Sequence, residues 1–383
     1  MTPSRTGAAH GVALRRARAR IERLCTGLPD PRTLFARLND IVPAVVAVDG
    51  VCGLTLDPTT LLHTGGYHER GVPHSHLPRL LEIEYGEADV NQFPDLVRSG
   101  RTTAGLWHST RHRPHASSRY RDVYRPTGLG DELRVLLRGG GTVWGALVLH
   151  RGGDRPPFDE KDFAALSALA PTVARGLRSA YLRHDADAAE ADAATAPGLL
   201  TFDPGGGVDR VTPAGQVWLD QLGGSPAGPG LLQQPVLHVR SKARAEGEAS
   251  LRVLGRGGRW VSVTGTLMDE DGRVAVILRP SAPEHVLGIM MEAYGLTRRE
   301  QHVAQLVVYG LSDGEIAARL TISPHTVRDH LKKVFDKTGT NSRGRLLRLL
   351  YFRHYQPAID TGRAMGSRGW FAPGTAGPAD APR

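Results

Sequence analysis

Residues 296–352 constrain the fold more than any other stretch of this chain, because helix starts and stops can be read directly from the residue types. Two capping boxes stand here, Thr297-Arg-Arg-Glu300 and Ser312-Asp-Gly-Glu315. In each, the hydroxyl and the carboxylate satisfy backbone N–H groups that a helix start leaves unpaired. Apolar residues at helical spacing follow both boxes, so the sequence predicts two short amphipathic helices.

A third helix is predicted to begin just after the second. Ser323 is a favourable N-cap, and Pro324 suits the first helical position because no N–H is needed there. Only residues 321–323 separate the second and third helices, and two helices joined by such a short turn describe a helix-turn-helix. The third helix should end near Gly339, and a fourth should begin at Asn341 or Ser342.

The third helix has two chemically different faces. Val327, Leu331 and Val334 share one side and are expected to be buried. The opposite side carries His325, Arg328, Asp329 and Lys332. Any amphipathic helix has a solvated polar face, but Arg or Lys on a helix that enters the major groove can donate to guanine. The caps, the turn length and this face together favour DNA binding.

The charge distribution supports the same interpretation. Residues 295–356 hold eleven Lys and Arg against five Asp and Glu, a net charge of +6 out of +9 for the whole chain. Residues 1–32 carry a further +5, which leaves −2 for the middle. Basic patches favour contact with phosphates, so the ends of the chain are better suited to nucleic acid than the middle.

At these residues the chain resembles the LuxR-type four-helix DNA-binding domain of bacterial transcription regulators. The resemblance rests on Leu296-Thr-x-Arg-Glu300, Glu315-Ile-Ala317, Thr326-Val-Arg328 and Lys337-x-Gly339, and it covers about 60 residues. It implies that Arg328, Asp329 and Lys332 read bases, that Ser323, Thr326 and Arg343 contact the DNA backbone, and that the fourth helix pairs two copies. The predicted DNA-binding set is Ser323, His325, Thr326, Arg328, Asp329, Lys332, Lys333 and Arg343.

Two positions depart from the family pattern. Thr338 stands where a leucine is usual, and Asp329 brings a carboxylate to the groove face. That carboxylate could accept from cytosine N4 or pair with Arg328 or Lys332, and the base preference therefore stays open.

Residues 43–182 read as one α/β domain. Strands are predicted at 44–48 and 52–56, a helix at 80–92, and a hairpin at 131–138 and 142–150 around three glycines. A long amphipathic helix follows Phe158 and runs to about residue 182. The hairpin with Trp144-Gly145, the Pro157-Phe158 step and the long helix resemble a GAF-type sensor domain, and the resemblance implies a regulatory role.

Seven histidines fall between His63 and His115. An i, i+4 pair such as His108 and His112 could bind zinc on a helix. The prolines among these residues favour loops, and no acidic or cysteine ligand lies in register, so surface histidines are the preferred interpretation and no metal site is predicted. No phosphate-binding glycine loop or catalytic grouping is recognisable, and therefore neither a cofactor nor an enzyme is predicted.

The remaining segments complete a multidomain chain that is α/β in front and all-α at the end. Residues 1–42 form basic N-terminal helices, and 183–196 an acidic, alanine-rich linker. Residues 197–283, with short strands, a helix and an antiparallel meander, resemble a PAS-like α+β domain. Residues 284–356 contain the helix-turn-helix, and 357–383 are expected to be a disordered tail.

The sequence thus predicts a cytoplasmic regulator that binds double-stranded DNA as a homodimer. Control is expected through a small-molecule effector or a protein partner at the front domains, with RNA polymerase as a further contact. The chain has no run of eighteen apolar residues, so the sequence predicts no membrane span. The alternatives are an enzyme with an appended DNA-binding domain and a protein-interaction adaptor.

Overall fold

A computed structural model describes residues 5–27, 30–69, 71–184, 196–222, 233–255 and 259–352. The chain forms two compact units that divide between residues 281 and 282. Most of the predicted linker, residues 185–195, lies outside the described residues, and so does the predicted tail 357–383. Among the described helices, none is both long enough and apolar enough to cross a bilayer.

The first unit begins with a five-stranded antiparallel sheet. Its strands are β1 (Gly50–Leu56), β2 (His63–Glu69), β3 (Thr103–Gly105), β4 (Leu129–Gly139) and β5 (Thr142–Gly152). Their order in the sheet is β2-β1-β5-β4-β3. The predicted hairpin is confirmed as β4 and β5, with Gly140 and Gly141 at φ 67° and 90° in the turn. Glycine adopts these positive φ angles without steric cost.

Helices cover both faces of this sheet. They are α1 (Arg5–Gly27), α2 (Pro31–Leu38), α3 (Leu77–Gly86), α4 (Phe93–Arg98), α5 (Leu106–Ser109) and α6 (Glu160–His184). Phe35 of α2 packs on Gly53, while Phe93 of α4 packs with Cys52 and Leu54. Neighbouring residues of a strand face opposite sides, so β1 is buried on both.

Two elements of the front domain differ from the sequence prediction. Residues 44–48 are not a strand, because Val42–Ala44 form a 3-10 turn after α2 and the first strand starts at Gly50. A short apolar run has no periodicity that separates a strand from a buried turn. The helix predicted at 80–92 is correct only as far as Gly86, because the chain becomes extended at Glu87 and α3 ends there; α4 starts at Phe93, beyond the predicted range.

A second five-stranded antiparallel sheet completes the first unit. Its strands are β6 (Gly198–Phe202), β7 (Val208–Val211), β8 (Glu248–Leu254), β9 (Trp260–Leu267) and β10 (Val274–Pro280), in the order β7-β6-β10-β9-β8. Its helices are α7 (Pro213–Gln221) and α8 (Gln234–Glu246). The sequence did not predict α8, whose Val236, Val239 and Ala243 are buried among many polar neighbours.

The second unit is helical throughout its described part. It contains α9 (Pro283–Ala293), α10 (Arg298–Val308), α11 (Asp313–Leu320), α12 (Pro324–Thr338), α13 (Arg343–Leu347) and a π-helical turn, Arg348–Phe352. Both predicted capping boxes are present, at Thr297 and at Ser312. One hydrophobic core joins the helices, centred on Val303, Ile316 and Leu331.

Candidate nucleic-acid interface

The turn between α11 and α12 has the predicted length and a defined geometry. Thr321 adopts the left-handed conformation at φ 55° and ends α11, and the Ile322 N–H donates to the Ala317 carbonyl over 3.0 Å. Ser323 then caps α12, because its Oγ accepts the Thr326 N–H over 3.0 Å. The turn therefore fixes the start of α12 relative to α11.

The two faces of α12 lie as the sequence predicts. Val327, Leu331 and Val334 are buried in the core of the unit. Five predicted DNA-binding residues are exposed on the other side, namely His325, Arg328, Asp329, Lys332 and Lys333. One polar face of α12 is therefore exposed to solvent along the length of the helix.

The carboxylate of Asp329 has a different partner from the two that the sequence suggested. It lies 3.2 Å from Nδ1 of His325, one helical turn earlier, and not in a salt bridge with Arg328 or Lys332. Within residues 282–352, no salt bridge engages Arg328, Lys332 or Lys333. Three cationic side chains on this face are therefore available to an external anion.

Arg343 is held inside the unit by two partners. Its Nη1 donates to the Leu311 carbonyl over 2.6 Å, and its Nη2 pairs with the Asp313 carboxylate. The side chain is half-buried and lines one depression together with Asp313, Arg328, Lys332 and Phe335. Arg343 thus lies beside the exposed basic face while its charge is already paired.

Two side-chain links whose partners the sequence did not reveal join α10 to α12 and to α11. Lys337 Nζ donates to Glu300 Oε2 over 2.6 Å and to the Gly295 carbonyl over 3.0 Å, while Glu300 is buried. Burial alone would raise the pKa of Glu300, but the hydrogen bonds from Lys337 and the Thr297 N–H lower it below 4.5. Arg299 Nη2 donates to the Leu320 carbonyl at the end of α11. The signal was the Arg299-Glu300 pair in the family motif.

The fourth helix, which the resemblance assigns to the pairing of two copies, exposes little apolar surface. Leu346 and Leu350 belong to the core of the unit and are 0% and 2% exposed, whereas Leu347 is 36% exposed. A domain of this size has few apolar residues to spare, so two of these three leucines pack inside the unit.

Comparison with protein families gives two matches. Residues 295–350 match the model described as bacterial regulatory proteins, luxR family, and residues 30–177 match the GAF domain. The C-terminal segment is a LuxR-type helix-turn-helix, and the front of the chain is a GAF domain. The predicted resemblances are thereby confirmed for both segments.

Curated relatives match a short stretch of the chain. The response regulator Rre1 of Synechocystis is 50% identical over 52 residues, which are 14% of this chain and 22% of that protein. A Mycobacterium bovis protein named as an HTH-type transcriptional regulator is 48% identical over 52 residues, 14% of this chain and 6% of its own length. The chain spans less than a quarter of these relatives.

Solved structures overlap with parts of the chain at low TM-scores. The GAF domain/HD domain protein from Geobacter sulfurreducens is 19% identical, with 41% of this chain and 98% of that chain covered and a TM-score of 0.31. The VqmA–ligand–DNA complex of Vibrio cholerae is 18% identical, with 42% and 83% covered and a TM-score of 0.21. Assignment of the LuxR-type and GAF segments rests on the family matches.

Proposed function

We propose that this protein is a transcription regulator that binds double-stranded DNA through α12. The observation that carries the proposal is the exposed face of α12, where Arg328, Lys332 and Lys333 have no salt-bridge partner among the residues that the structure describes and lie opposite a buried apolar stripe. A helix of this kind fits the major groove, and Arg or Lys can donate to guanine O6 and N7. Ser323 and Thr326, at the start of the helix, are proposed to contact the DNA backbone.

We assign DNA binding and regulation to different domains of the chain. We assign DNA binding to residues 284–356 and regulation to the GAF domain at 43–182 and to a PAS-like domain at 197–283. The order β7-β6-β10-β9-β8 supports the PAS-like assignment. It is the same strand order as in the GAF sheet, with the first strand between the second and the last, and two helices, α7 and α8, accompany it. Residues 1–42 are proposed as an N-terminal extension of the regulatory part.

Regulation is proposed to act through a small molecule or a protein partner bound by the front domains. Such a ligand shifts the conformational equilibrium of the protein only if it binds one arrangement of the chain more tightly than another. The VqmA structure of Vibrio cholerae contains both a ligand and DNA, and we extend that combination to this chain as a proposal. RNA polymerase is a further proposed partner at target promoters.

Homodimer formation is part of the proposal. One recognition helix contacts few base pairs, whereas two-fold dimers read two half-sites about 10 bp apart. With Leu346 and Leu350 buried, α13 offers chiefly Leu347 for pairing. We therefore assign most of the dimer contact to the regulatory half, with a minor contribution from α13. Light scattering on the full-length chain measures the mass directly.

Selection of bound fragments from genomic DNA tests the proposed function. Full-length protein is incubated with fragmented DNA at two salt concentrations, and the enriched fragments are compared with random DNA by anisotropy. We expect enrichment of a two-fold site and a linear fall of log affinity with log salt. The adaptor alternative predicts no preferred sequence, and equal binding to all fragments at both salt concentrations would reject the proposal.

A further inference from the structure

A buried charge cluster lies between α3 and β4 in the GAF domain. Glu132 accepts from Arg119 Nη2 and from Arg134 Nε, each over 3.1 Å, and from the hydroxyl of Tyr124. Glu84 accepts two further hydrogen bonds from Arg134, over 3.0 and 2.8 Å. Burial would raise the pKa of Glu132, but the two arginines lower it to about 2. Two anions and two cations therefore balance each other.

A cavity of about 70 Å³ adjoins this cluster. Its walls are mostly apolar and include Leu54, Leu80, Leu81, Phe93 and Val148. One wall comes from α8 of the second sheet, which contributes Leu237 and His238. The cavity is therefore shared by the two halves of the first unit.

Three buried imidazoles line the same cavity. His238 is satisfied, because Nδ1 lies 2.6 Å from the Tyr85 hydroxyl and Nε2 lies 3.1 Å from Gln234 Oε1. Nε2 of His63 and both ring nitrogens of His150 have no hydrogen-bond partner among the described residues. Burial lowers the pKa of His150 to about 4, so that ring is neutral and offers one donor and one acceptor. Buried polar atoms are nearly always paired in native proteins.

We propose that this cavity binds a small uncharged molecule that carries a hydrogen-bond donor and an acceptor on an apolar skeleton. The unpaired nitrogens of His150 and His63 supply the complementary acceptor and donor, and the aliphatic walls hold the skeleton. A charged ligand is disfavoured, because the glutamates and arginines already neutralise one another and a further buried charge would lack a partner.

The size of the cavity limits the ligand further. A space of about 70 Å³ favours a small ligand. The inference rests on the proposed ligand control of the GAF domain and names the class of ligand. Because α8 forms a wall, we expect an occupied cavity to affect the packing of the second sheet against the first. The contact involved is the ring of His238, whose centroid lies 4.1 Å from that of His63.

The test uses three probes of one shape and three charges: acetamide, acetate and acetamidinium. Full-length protein is labelled with ¹⁵N in histidine, and the imidazole nitrogen shifts are followed as each probe is added in the millimolar range. We expect acetamide to shift the His150 and His63 resonances to saturation and the two ions to leave them unchanged. His150→Phe keeps the ring shape, removes both nitrogens and should weaken acetamide binding about tenfold.

His74→Phe is the matched control, because His74 is exposed and does not line the cavity. If His150→Phe does not fold, His63→Phe and the wild-type titration decide the question. Equal shifts with all three probes, or none with acetamide, would overturn the proposal and leave ordered water as the occupant. Binding is read without DNA, so failure here is distinguishable from failure to select a DNA site.

Discussion

Arg252 on β8 holds the carboxylate of Asp57, which follows β1 of the GAF sheet, through three hydrogen bonds. Nε and the backbone N–H donate to Oδ2 over 3.0 and 2.7 Å, and Nη2 donates to Oδ1 over 2.8 Å. The two residues are 195 positions apart in sequence, and the Asp57 side chain is fully buried. This pair joins the two sheets of the first unit.

Replacement of Arg252 by alanine should destabilise the first unit by about 3–5 kcal/mol, since a buried carboxylate would lose its cation. Urea denaturation followed by tryptophan fluorescence measures the change, because Trp218 and Trp260 lie in the second sheet domain. Arg279→Ala is the control, as Arg279 is exposed in the same sheet and its loss should cost less than about 0.5 kcal/mol. Equal midpoints for the two variants would refute the role of the pair.

Arg328→Ala and Lys332→Ala should each reduce discrimination between a selected site and random DNA by about 1–3 kcal/mol and leave the fold intact. Both side chains are exposed and face away from the core, so their loss removes contacts with DNA and no packing. Competition anisotropy on full-length protein gives the ratio of affinities. Arg298→Ala, an exposed residue of α10, controls for the loss of one charge. An unchanged ratio in both α12 variants would show that another face reads the bases.

Arg343 can act as a DNA contact or as an internal link, and Asp313→Asn separates the two roles. The ion pair ties the start of α13 to the start of α11, and both side chains are about one-third exposed. If Arg343 contacts a DNA phosphate, removing the charge of Asp313 should strengthen DNA binding. The slope of log affinity against log salt should then stay the same or become steeper. We expect this result, together with a stability loss of no more than about 1 kcal/mol. Weaker DNA binding by Asp313→Asn would assign Arg343 to the internal link.

The pair of Glu300 and Lys337 predicts a pH dependence of stability. The pKa of Glu300 is lower in the folded state than in the unfolded chain, so its contribution is fully present above about pH 4.5 and is lost as the pH falls through the folded value. Wild-type protein should therefore lose more stability on acidification than Glu300→Gln, as measured by urea denaturation with circular dichroism. Asp336→Asn removes an exposed acid from the same helix α12 and should resemble wild type. Parallel acid profiles for wild type and Glu300→Gln would contradict the prediction.

The helix-turn-helix could be predicted closely because its determinants are local. Each capping box spans four residues along the chain, and the buried stripe of α12 follows from the spacing of Val327, Leu331 and Val334. The β4–β5 hairpin was equally accessible, since Gly140 and Gly141 mark its turn. Interactions between near neighbours leave a pattern in the order of residues, and that pattern is sufficient for these elements.

Helix α8 and the site residues it helps to gather could not be predicted in the same way. The apolar residues of α8 are too few to stand out, and the helix is stabilised by packing on its own sheet, where Gly265 allows Val239 to approach. His63, His150 and His238 meet at one cavity only because three separate elements pack there. Their spacing in sequence does not predict that these three side chains lie at one cavity.

By itself, the sequence determined which segments are helices that cap themselves and which face of α12 is polar. Tertiary structure alone decided the partners of charged groups that lie far apart in sequence: Arg343 with Asp313, and Asp57 with Arg252. The reason is physical. A cap or an apolar stripe depends on residues three or four positions apart, whereas a buried charge is stabilised by whichever opposite charge the folded chain brings within hydrogen-bond distance, however distant in sequence.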